Sequence, residues 1–302
     1  MSALERLQQQ LQDTNALIVQ VENALALPEN KEDLRSLSAN LKALHNMREH
    51  LETQFLELAA LQEQEVYRYR ITETGGRPSL GGIAEAWSKF ENLFAVVYSK
   101  LTQQEMPAPL GYSYCFVGSV GVVVTLPNLP VQAAGMLTGN PIDETSDVVF
   151  DLIESKRVTE IAKDLGPEPI AALNEWLAVH LSHHYGLGLE WKSDRVTKRS
   201  IEVPFTQLPI LQNVILEAAT DATLIVDGEL QAVDIVEKTF KFKADDGETI
   251  EGTFEDAITA KHEASVPFRY HATIIKTTKF LPKTKKEKDR PTTYFLKSLE
   301  HL

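Results

Sequence analysis

The feature that most constrains this chain is a heptad stripe along its N-terminal part. Leu4, Leu7, Leu11, Ile18, Val21 and Leu25 recur at a and d spacing, with Thr14 as the one break. Gln8, Gln9, Gln10, Gln12, Asp13 and Glu22 lie between them. Pro28 and Asn30 stop the series, and a second follows at Leu34, Leu37, Leu41, Leu44, Leu51, Phe55 and Leu58. Arg48 takes one a position and is its main flaw. A heptad repeat keeps one apolar stripe of a helix turned toward a partner. Two such helices joined by a short Pro-Glu-Asn-Lys turn fold back as an antiparallel pair. The spacing therefore predicts a helical hairpin, or coiled-coil arm, over residues 1–64. Leu17, Leu27, Met47 and Leu61 widen the stripe beyond what two helices cover. Either the body of the chain or the arm of another subunit must cover the rest. Self-association through the heptad residues is the expectation.

Residues 65–220 read as a central α+β domain. Val66 to Ile71 alternates as a strand, and Gly75 to Gly82 is a loop. Trp87, Phe90, Phe94 and Val97 mark the core face of a helix from Ile83 to Gln103. Tyr112–Val117 and Val120–Leu126 form a hairpin about Gly118-Ser119. Helices are expected over 144–156, 157–165 and 167–185, and strands over 186–191 and 200–203. A further helix begins at or after Pro209 and buries Ile210, Val214 and Ile215. Residues 221–302 carry short alternating strands between Asp-Gly turns at Asp227-Gly228 and Asp246-Gly247. That pattern predicts a small antiparallel β-barrel, SH3-like or of the oligonucleotide-binding (OB-like) kind, since closure hides sheet edges. The fold class expected is α+β multidomain: arm (1–64), central domain (65–220) and barrel (221–302).

Composition narrows the function. No apolar run reaches the length of a membrane span; Val117 to Leu129 is broken by Gly118, Gly121 and Pro127. The formal net charge of −13 argues against non-specific nucleic-acid binding, which works by neutralising phosphates. The single cysteine, Cys115, excludes an internal disulfide and makes a thiolate metal cluster implausible. A cytoplasmic location is the expectation, because no apolar signal segment follows the initial Met-Ser-Ala-Leu-Glu-Arg.

Several residues invite chemistry. Lys276, Lys279, Lys283, Lys285, Lys286, Lys288 and Arg290 form a basic segment near Tyr270, Phe280 and Tyr294. Lysines on phosphates with bases stacked on rings are one way to hold a single strand, although lysines also guard sheet edges. His180 and His184 share a helix face and are weak metal candidates; a third ligand at matching spacing is missing, and a helix C-terminus favours histidine anyway. The glycine runs Gly75–Gly82 and Gly118–Gly121 match neither a phosphate loop nor a dinucleotide fingerprint. Cys115 between Tyr114 and Phe116 reads as a buried structural thiol, and Ser119 lacks a nucleophile-elbow frame. Glu160 and Asp164 share a face as solvated acids. No cofactor is implied. The sequence thus favours a non-enzymatic interaction or scaffold protein acting through the arm. The alternatives are nucleic-acid binding by the basic loop, or an enzyme of unfamiliar type in the central domain near His180 and Trp176.

Overall fold

A computed structural model of the chain describes residues 2–27, 33–72, 74, 78–106, 109–115, 120–127, 140–193, 196–255, 266–281 and 290–302. In order, the elements are α1 (Ala3–Ala26), α2 (Leu34–Leu61), β1 (Gln64–Ile71), α3 (Leu80–Thr102), β2 (Gly111–Cys115), β3 (Val120–Pro127), α4 (Pro141–Ile153), α5 (Val158–Leu165), α6 (Glu168–His183), β4 (Leu187–Ser193), β5 (Val196–Val203), α7 (Leu208–Glu217), β6 (Ala219–Asp234), β7 (Thr239–Ala244), β8 (Thr249–Phe254), β9 (Phe268–Lys279) and β10 (Thr292–His301). They group into two compact units, Met1–Arg157 with Glu168–Asn213, and Val158–Pro167 with Val214–Leu302. The N-terminal region is α-helical, and the C-terminal region is a mixed β-sheet.

In the first unit, α1 begins at a capping box. The Ser2 hydroxyl accepts from the Glu5 amide at 3.1 Å, and the Glu5 carboxylate accepts from the Ser2 amide at 2.6 Å. Thr14, the break in the stripe, is buried, and its hydroxyl donates to the Gln10 carbonyl at 2.7 Å, so its polarity is satisfied inside the helix. Five antiparallel strands pair in the order β2-β3-β1-β4-β5. Strand β1 is central, and successive side chains point to opposite faces. Tyr67 and Tyr69 meet Phe94 and Phe90 of α3, at ring separations of 5.4 and 5.1 Å. Val66 faces the other way and joins Val123 and Tyr114 in a core with Leu4, Leu11, Leu51, Phe55 and Ala59 of the arm.

Arg199 on β5 ties the sheet to α4. Its guanidinium donates to the Asp147 carbonyl at 3.0 Å, to Asp151 at 2.9 Å and to Glu154, and it lies over the Phe150 ring. Helix α7 starts one residue before Pro209, which sits in the first turn, where its missing N–H leaves no intrahelical bond unmade. That phase buries Leu208, Leu211 and Ile215, and leaves Ile210 and Val214 exposed, contrary to the expectation for those two.

The second unit corrects the expected antiparallel β-barrel. Its sheet is mixed. The strand order is β10-β8-β7-β6-β9, and β9 pairs again with β10. Five strands with two neighbours each cannot alternate direction at every junction. One pair must be parallel, and it is β10 with β8, which meet only at Phe295↔Thr253 and Leu296↔Phe254. The core holds Leu230, Phe240, Phe242, Ile250, Tyr270, Ile274 and Leu296 among others. Asp227-Gly228 is not a turn, because β6 runs straight through it. Glycine is needed there for close approach: a Cβ at Gly228 would lie 2.2 Å from the Lys243 carbonyl oxygen. The turn at Asp246-Gly247 does form, with Gly247 at φ +95°. Most of the expected 255–263 crossover, and the arm turn at 28–31, lie outside the described residues.

Candidate functional site

The arm behaves differently along its length. Near its base, Leu4, Leu11, Ile18, Leu51 and Phe55 are buried within the chain's own fold. Phe55 meets Tyr114 edge-on at 5.3 Å. Polar contacts hold α1 along β2: Gln8 donates to the Ser113 hydroxyl at 3.1 Å, and Asn15 to the Cys115 carbonyl at 2.7 Å. Leu7, Val21, Leu25, Leu37, Leu41, Leu44 and Leu58 are half-buried, and Leu34 is exposed. Among the described residues from 19 to 50, none is fully buried. The distal arm therefore carries its apolar side chains only partly covered.

The basic segment is only partly placed. Lys283, Lys285, Lys286 and Lys288 lie outside the described residues. Lys279 pairs with Glu217, Arg290 is exposed, and Lys276 sits 5.9 Å from the centre of the Tyr294 ring. Of the expected stacking rings, Tyr270 and Phe280 are buried.

The histidines separate. His180 is buried on α6, whereas His184 follows the helix in a left-handed conformation beside Phe205. The Tyr185 carbonyl lies 3.0 Å from His180 Nδ1 and can only accept, so Nδ1 carries the proton. Nε2 then accepts from the Tyr69 hydroxyl at 2.5 Å, and Trp176 Nε1 donates to the Tyr69 oxygen at 3.0 Å. Burial lowers the His180 pKa to about 4, helped by neighbouring His183, and burial raises that of Tyr69 well above its ordinary value. Both imidazole nitrogens are thus engaged in the fold. Among the described residues, no group of three or more His, Cys, Asp or Glu side chains is placed to hold a metal.

The other candidates acquire structural roles. Gly82 lies in the first turn of α3, and its amide donates to the Ser79 cap at 3.1 Å. A Cβ at Gly82 would lie 2.8 Å from the His183 ring, so glycine lets α3 approach α6. Gly75, Gly118 and Ser119 lie outside the described residues. Cys115 is exposed rather than buried, because it lies at the end of edge strand β2. Glu160 and Asp164 are exposed on α5.

One site escaped the sequence reading. On the sheet face that carries the arm, a cleft of about 270 Å³ opens between α2 and β5. Arg48 and Glu52 reach it from α2, Arg68 and Arg70 from β1, Glu190 from β4 and Glu202 from β5. Arg68 stands 3.4 Å from Glu190 and 3.8 Å from Glu52, and Arg70 stands 3.6 Å from Glu202. Arg48 Nε is buried and has no hydrogen-bond partner among the described residues. The flaw in the heptad was the available signal, but its companions are far away in sequence. No helix among the described residues is long and apolar enough to cross a membrane. No protein-family model, curated protein or solved structure matches the chain.

Proposed function

We propose that this is a non-enzymatic interaction protein whose arm associates with the arm of a second copy. The observation that carries this is the character of α1 beyond Asn15. Of its seam, Ile18 is buried while Val21 and Leu25 are only half-covered, and Leu17, Val19 and Leu27 are 47%, 43% and 47% exposed, with Glu22 the only charged side chain from there to the helix end. At helical spacing, Leu17 and Val19 flank the seam on either side, and Leu27 follows as the extended residue that ends the helix. A helix apolar on several faces belongs in a packed environment. Two hairpins laid together give a four-helix arrangement that supplies one.

The available patch is small. About 20 Å of helix length by about 20 Å of hairpin width gives roughly 400 Å² per partner, the range of weak, reversible contacts. The association is therefore an equilibrium rather than an obligate assembly. A cytoplasmic setting accompanies this reading, since a lone exposed thiol suits a reducing compartment. Light scattering on the full chain across a concentration series tests it. A dimer should grow in toward high concentration and be lost in the Leu17→Lys, Val19→Lys, Leu27→Lys triple variant, whose positions are too exposed to unfold the arm. A chain that stays monomeric throughout would sink the proposal.

A further inference from the structure

We infer that the cleft between α2 and β5 binds a small zwitterion of the α-amino acid class. Its carboxylate would lie on Arg48 and Arg70, and its ammonium on Glu52 and Glu202.

Four observations support this. Arg48 stands in a heptad core position, where leucine would pack better, and its buried Nε finds no hydrogen-bond partner among the described residues. Arg70 lies across Gly188, where a Cβ would come within 3.3 Å of its Nε, so the glycine keeps the floor open beneath that side chain. The ion pairs differ in kind. Arg68 is held between two acids on neighbouring elements, whereas Arg70 and Glu202 are both largely exposed and 3.6 Å apart, a weak and exchangeable contact. Glu52 and Glu202 make the longest of these contacts, at 3.8 and 3.6 Å, and are the acids most readily recruited by a ligand.

Charge balance selects the class. Three guanidiniums and three carboxylates line the cleft, so a simple ion of either sign meets repulsion along with attraction. A zwitterion satisfies both halves. The planar fork of arginine matches a carboxylate in two parallel hydrogen bonds. A cleft of about 270 Å³ lies at the small end of ligand sites and suits a single amino acid better than a nucleotide.

The test is calorimetric titration of the full-length protein with individual L-amino acids, with sodium acetate and inorganic phosphate as parallel probes. At least one amino acid should bind, with acetate and phosphate about tenfold weaker or worse. Arg70→Gln and Arg48→Leu should each weaken the amino acid at least about tenfold. Arg48→Leu restores the heptad's residue type, and urea unfolding of both variants beside the wild type separates lost binding from lost fold. The proposal is overturned if no amino acid binds, if phosphate or acetate binds equally well, or if Arg48→Leu leaves binding intact.

Discussion

His180 illustrates how one residue can couple the fold to pH. Its Nδ1 proton is committed to the Tyr185 carbonyl and its Nε2 lone pair to the Tyr69 hydroxyl, so a second proton would have to displace the Tyr69 proton from that bond and place a charge in the core. Burial holds its pKa near 4, against an ordinary value of 6.5. Between those values the unfolded chain binds the proton and the folded chain does not. Stability from this site is thus complete above about pH 6.5 and declines as pH falls toward 4, by on the order of 3 kcal/mol in all. Many carboxylates titrate over part of the same range, so the comparison must be with His180→Asn, which cannot titrate. Urea unfolding followed by tryptophan fluorescence reads the first unit, because Trp87, Trp176 and Trp191 all lie there. The wild type should lose markedly more stability between pH 7 and pH 4 than the variant; equal losses would mean that His180 is not held neutral. In sequence this residue was visible only as one of a histidine cluster. Tyr69 and Trp176, which define its state, meet it through the sheet and the helix, and Tyr69 lies 111 residues away. Spacing along a chain does not report such contacts.

At the scale of elements, two glycines of the second unit separate close approach from backbone conformation. A Cβ at Gly252 would lie 2.1 Å from the Tyr294 carbonyl oxygen, at the short parallel junction between β8 and β10. Backbone cannot yield there without separating the strands. Gly252→Ala should therefore cost about 2–4 kcal/mol and speed amide exchange in both strands. Gly247 has open space around it but a positive φ, so Gly247→Ala should cost only about 1 kcal/mol, with exchange at the junction unchanged. Exchange measured by mass spectrometry on both variants distinguishes the cases, and similar profiles would refute the close-approach argument. The same elements show what was legible. The arm helices were, because a heptad stripe over several turns has few other solutions. The alternation of Phe240 and Phe242 with Lys241 and Lys243 also placed β7 correctly. Strand direction was not legible, since alternation is identical for parallel and antiparallel neighbours. Asp227-Gly228 misled because glycine there serves packing across strands rather than a turn. Of the cleft, only Arg48 was visible, as a flaw; Arg68, Arg70 and Gly188 join it through sheet register that the pattern leaves open.

For the whole molecule, net charge decides how association must respond to salt. Each copy carries a formal −13, so bringing two together is opposed by long-range repulsion. The contact proposed for α1 is apolar, with Glu22 as its only charge beyond Asn15. Salt then screens the repulsion and removes little attraction, because the Debye length falls from about 30 Å at 0.01 M to about 8 Å at physiological ionic strength. Self-association should tighten as sodium chloride rises over that range, by roughly threefold or more, and sedimentation equilibrium at several salt concentrations would measure it. Binding of a polyanion by Lys276, Arg290 and the neighbouring lysines would show the opposite slope, since neutralised phosphates release counterions that added salt competes with. A dimer held by charge pairs would also weaken. The sign of the slope therefore distinguishes an apolar arm contact from both electrostatic readings. Weakening with salt would remove the arm from the interface even if the protein proved dimeric.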